Sequence, residues 1–78
     1  MREQIFNILN ELNDDFKQYQ GDDMIRDHIL DSFTIMELVA SIEDFNSIEI
    51  DAEDIVVDNF KTADTILKLV EKYIKDRV

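Results

Sequence analysis

Apolar positions recur with helical spacing in three stretches of the chain and lose that spacing in the two stretches between them. Ile5, Ile8, Leu9, Leu12 and Phe16 follow one another at three- to four-residue intervals, the mark of one buried helix face. They predict a first helix of about four turns, ending near Tyr19 ahead of the turn signal QGDD. Residues 20–31 carry Met24, Ile25, Ile29 and Leu30 without a period, which predicts a connection laid over the bundle. A second helix is expected from Ser32 to Phe45. The segment NSIEIDAEDI alternates briefly, but Ile48 and Ile50 have no second strand to pair with, and a lone strand leaves its backbone unsatisfied. An extended connection leading to a short helical turn near Asp54–Val57 is the better reading.

Thr62 is the expected N-cap of the last helix, with Asp64 in its first turn favoured by the helix dipole. Ile66, Leu69, Val70, Tyr73 and Ile74 form its buried stripe, and Lys68, Lys72, Lys75 and Arg77 complement its negative end. The expectation is an all-α fold: one domain over residues 1–78, a small bundle of three main helices plus one short helix.

The second helix has apolar residues on two sides. At 100° per residue, Ile35, Leu38, Val39, Ile42 and Phe45 share the sector that faces the core. Phe33, Met36 and Ala40 stand almost opposite, beside Glu37, Glu43 and Asp44. Such a strip is either gap-filling against neighbouring loops or a docking surface whose acidic rim steers a basic partner.

Composition narrows the choices. The 78 residues contain no Cys, no Pro, one Gly and one His, which excludes disulfides, a cysteine nucleophile and a structural zinc site. A chain this short buries roughly 60% of its unfolded surface, so only modest stability is expected. The formal net charge is -11, which opposes nucleic acid and anionic membranes and favours a basic protein partner. Ten carboxylates and no Lys or Arg lie between Asp27 and Phe60. No apolar stretch after Met1 resembles a signal peptide or a span, so a cytoplasmic location is the expectation, and a monomer is expected. The clusters NDD, GDD and DAED lack the ligand spacing of a calcium loop.

Ser32 is expected to cap the second helix, with Asp31 ordinary beside it. A phosphate ester on the Ser32 hydroxyl would also suit a helix N-terminus. Hydrolysis does not follow: a nucleophilic serine needs a base and an oxyanion hole, and His28, four residues earlier, is the only histidine.

The stretch LDSFTIMELV resembles the phosphopantetheine attachment motif of acyl carrier proteins and the related D-alanyl and peptidyl carriers. Asp31, Ser32, Glu37 and Leu38 match its Asp-Ser-Leu and Glu-Leu elements, and EIDAEDI and FKTADTI resemble the family's third helix and its entry to the last. The resemblance covers nearly the whole chain. It departs at Phe33, where the usual residue is Leu and where D-alanyl carriers also differ, and at His28-Ile29-Leu30, where fatty-acid carriers have a Gly-containing approach.

The resemblance implies an acyl carrier rather than an enzyme. Ser32 would bear phosphopantetheine, transferred from coenzyme A by a phosphopantetheinyl transferase, and Asp31 would help organise the magnesium. Phe33, Met36, Glu37, Glu43 and Asp44 would meet partner enzymes that load or accept an acyl or aminoacyl group. The cofactor would supply the thiol, and the protein its presentation. The alternative is an acidic adaptor that only binds a basic partner through the second helix. In either case clustered carboxylates repel one another, so added salt or divalent cations are expected to raise the melting temperature. A melting temperature indifferent to salt would refute a crowded acidic face.

Overall fold

A computed structural model describes residues 1–76. Among them are three α-helices and no strand: α1 (Arg2–Leu12), α2 (Ser32–Asn46) and α3 (Ala63–Asp76). The all-α architecture of the sequence reading stands. Arg77, expected to complement the end of the last helix, lies outside the described residues.

The core draws on all three helices. Ile5, Ile8 and Leu9 of α1 meet Leu38, Val39 and Ile42 of α2 and Ile66, Leu69 and Val70 of α3. The connections add Met24, Ile29, Leu30, Ile50 and Phe60, so the long segment before α2 does lie over the bundle. Phe60 is fully buried; removing such a side chain from water contributes roughly 1.5–3 kcal/mol. Tyr73 and Ile74, expected in the α3 stripe, are half-buried against this core.

The first helix is shorter than its apolar period suggests. It stops at Asn13, whose backbone is extended (φ -154°, ψ 112°), and a 3-10 turn, Asp14–Gln18, follows. Asn side chains compete with helical backbone bonding. Asn13 Oδ1 accepts from the Asp15 N–H at 2.9 Å, and its Nδ2 donates to the Ile29 carbonyl at 3.1 Å. Phe16 therefore leaves the helix and meets Phe6 edge to face, ring centroids 5.5 Å apart.

Residues 47–62 are also more broken than expected. Two separate 3-10 turns, Ala52–Asp54 and Val57–Asn59, replace a single turn at 54–57. The first is tied to α3 by the Tyr73 hydroxyl, which accepts from the Asp51 N–H at 3.0 Å and donates to the Asp54 carboxylate. That bond holds the Asp54 carboxyl below its usual range and the Tyr73 hydroxyl above its own. The cap expected at Thr62 is present and reciprocal. Thr62 Oγ1 accepts from the Thr65 N–H at 3.1 Å, and Thr65 Oγ1 accepts from the Thr62 N–H at 3.2 Å. Asp64 in the first turn of α3 pairs with Arg2 at 2.5 Å, joining α3 to α1.

The connection before α2 closes through Tyr19. Its hydroxyl donates to Asp27 Oδ2 at 2.6 Å and accepts from the Asp23 N–H at 2.8 Å. Gly21 sits against this pair: a Cβ there would lie 2.6 Å from Tyr19 Cζ and 2.7 Å from Asp27 Oδ2. Gly21→Ala is expected to push the ring from Asp27 and lower the melting temperature by about 4–8 °C, as loss of about one hydrogen bond does in a domain this small. Thermal unfolding checks this; an unchanged midpoint would mean the Tyr19 contact contributes nothing.

Candidate functional site

The start of α2 decides what Ser32 is free to do. Two adjacent residues, Asp31 and Ser32, both have good capping side chains, and the structure selects Asp31. Its Oδ1 accepts from the Thr34 N–H at 2.8 Å, while Thr34 Oγ1 accepts from the Asp31 N–H at 2.7 Å, closing a capping box. The partner three residues on makes the choice. Thr34 can answer Asp31; Ile35 cannot answer Ser32. The expectation that Ser32 caps the helix is thus corrected.

Ser32 is the first helical residue, exposed, and outside the capping box. No hydrogen bond joins it to His28, which occupies a left-handed turn at φ 65°. A non-glycine residue there costs roughly 1–2 kcal/mol. The turn returns the chain inward: the Ile29 and Leu30 N–H groups donate to the Met24 carbonyl at 2.8 and 3.0 Å.

Beside Ser32 lies a cleft of about 270 Å³, walled by Ile35, Met36, Ile55, Val56, Val57 and Phe60. Met36, Val56 and Val57 are exposed at its rim. The three apolar residues at 55–57 were not among the sequence candidates. The signal was present, since IVV is the one apolar run in an acidic connection.

The outer face of α2 presents Phe33, 72% exposed, and Met36, 59% exposed, together with exposed Glu37, Ala40 and Asp44. Glu43 does not join that rim. It is half-buried, and its Oε2 accepts from the Ile50 N–H at 2.8 Å, binding the exit from α2. The exit itself passes through Ser47 in the left-handed region at φ 52°. Phe45, expected in the core, is 66% exposed. It stands about 60° round the helix from Ile42, next to a groove between Gln4, Asn7 and Ile8 of α1.

No group of His, Cys, Asp or Glu among the described residues forms a metal-binding cluster. No described helix is long and apolar enough to cross a membrane. The Asp31 carboxyl is held below its usual range, chiefly by the Thr34 N–H and then by the Thr34 hydroxyl. No protein-family model matches the chain, and no curated protein is significantly similar to it.

The capping assignment predicts unequal effects of two neighbouring substitutions. Asp31→Ala should lower the melting temperature by about 4–8 °C, whereas Ser32→Ala should stay within about 3 °C of wild type. Because the folded-state pKa of Asp31 is depressed, its contribution is complete above its unfolded pKa of about 4. It is lost as pH falls through the folded value. The gap between wild type and Asp31→Ala should therefore narrow as pH falls below about 4; a gap constant with pH would contradict the charged cap.

Proposed function

We propose that the chain is a phosphopantetheine-dependent acyl carrier protein, with an acyl-carrier-like helical bundle and Ser32 as the attachment residue. The observation that carries this reading is the exposed Ser32 hydroxyl at the first position of α2, released from capping by Asp31 and adjoining an apolar cleft. The residues suit the group. A phosphodiester on Ser32 would sit in the first turn of α2, the end of the helix whose dipole favours an anion. Ile35, Met36 and the 55–57 segment offer apolar wall to the arm as it leaves. When bound, the arm supplies the thiol that holds an acyl or aminoacyl group as a thioester.

The chain's own residues bind and present. Phe33, Met36, Glu37 and Asp44 form an apolar strip with an acidic rim, suited to basic patches on a phosphopantetheinyl transferase and on loading and accepting enzymes. Glu43 belongs to the helix exit rather than to that strip. Asp31 keeps its capping carboxylate ionised beside the attachment point, where it can also assist a magnesium ion during transfer. The family pattern has a short helix in this region, where this chain has two 3-10 turns, Ala52–Asp54 and Val57–Asn59.

The test is intact mass after incubation with coenzyme A, magnesium and a broad-specificity phosphopantetheinyl transferase, with Ser32→Ala alongside. One phosphopantetheine added to the wild type alone supports the carrier. No addition to folded protein by several transferases would leave the acidic adaptor, for which the exposure of Phe33 and Met36 is sufficient, as the better reading.

A further inference from the structure

Residues 51–59 run between two core anchors, Ile50 and Phe60, yet bury no side chain of their own. Asp54, Ile55 and Asn59 are half-buried, and the rest are exposed. Most hydrogen bonds of the segment are internal. The Asp54 and Ile55 N–H groups donate to the Asp51 and Ala52 carbonyls, the Asn59 N–H to Val56, and Asn59 Nδ2 to the Asp54 carbonyl at 2.7 Å. These bonds close the two 3-10 turns but do not hold them to the bundle.

Polar attachment to the bundle is confined to the two ends. At the far end Thr65 Oγ1 donates to the Asn59 carbonyl at 3.1 Å, and Lys61 pairs with exposed Asp58. At the near end one hydroxyl carries both close bonds: Tyr73 accepts from the Asp51 N–H and donates to the Asp54 carboxylate. Lys72 reaches that carboxylate only at 3.5 Å, from an exposed side chain. The Tyr73 side chain packs against the core, so its hydroxyl is positioned from α3. Ile55, Val56 and Val57, which follow Asp54 directly, form one wall of the cleft beside Ser32.

A segment with little buried apolar surface opens at a lower free energy than the whole fold. Opening here breaks the two bonds to Tyr73 and exposes the half-buried Ile55, while Ile50 and Phe60 keep their places in the core. Released 3-10 turns do not persist, because a single turn fixes several residues for one or two bonds. We propose that residues 51–58 form a strap that opens as a unit, with the Tyr73 hydroxyl as its latch. Tyr73 is then a positioning residue on α3 that sets how often the wall of the Ser32 cleft stands open. The strap works in this way whatever Ser32 carries.

Native-state amide hydrogen exchange on the full chain tests this through two conservative substitutions. Tyr73→Phe keeps the ring and removes only the hydroxyl. It should speed exchange at Asp54 and Ile55 about tenfold, the scale of one or two hydrogen bonds. Ile5→Val instead removes one methylene from the core, on α1. It should speed exchange at Ile42 and Val70, in the core of α2 and α3, about three- to tenfold. Asp54 and Ile55 should then stay within about twofold of wild type, because the strap opens without the core. Unchanged exchange at Asp54 and Ile55 in Tyr73→Phe would overturn the latch. Equal acceleration of strap and core amides by Ile5→Val would overturn the strap, since the segment would then open only when the whole bundle unfolds.

Discussion

The backbone of Met24 is the point on which the arrangement of the helices depends. Its N–H donates to the Lys61 carbonyl at 2.7 Å, and its carbonyl accepts from both Ile29 and Leu30. Lys61 directly precedes the Thr62 cap of α3, and Leu30 directly precedes the Asp31 cap of α2. One residue in an otherwise irregular segment thus fixes the beginnings of two helices relative to each other. The Met24 side chain, 1% exposed, anchors that residue in the core, so burial and backbone pairing act at the same place. The left-handed turn at His28 is the conformational cost of returning the chain to Met24.

The acidic composition has a structural use that net charge alone does not reveal. With no proline and one glycine, the chain must end and begin its helices by other means, and short carboxylates and amides provide them. Asp23 Oδ1 accepts from the Ile25 and Arg26 N–H groups, Asp31 from Thr34, and Glu43 from Ile50. The ion pairs matter less. Those of Arg26 with Asp22 and Lys61 with Asp58 join exposed groups, and such pairs contribute about 0–1 kcal/mol. No polar or charged residue is buried among the described residues, so the bundle is held by its apolar core while its carboxylates shape the turns.

Much of this was readable from spacing. The α2 and α3 stripes were legible because nothing local competes with their helical period, and the Thr62 cap because a single candidate stood at the right place. The outward position of Phe33 and Met36 followed from the same wheel. The break at Asn13 was hidden, because Phe16 keeps the apolar period although the backbone has left the helix. Phe45 was misplaced because the wheel says which way a residue points and not whether a neighbour reaches that far along the axis. The choice between Asp31 and Ser32 lay in Thr34, a partner three residues away. The wall at Ile55–Val57 lies in a segment without a period, and its nearness to Ser32 is a matter of tertiary packing alone.

The cap on Asp31 has a consequence for any change made at the neighbouring hydroxyl. The bonds that start α2 run through Asp31 and Thr34, so a group joined to the Ser32 oxygen need not break any of them. A chain altered at that oxygen would keep the anchorage of α2.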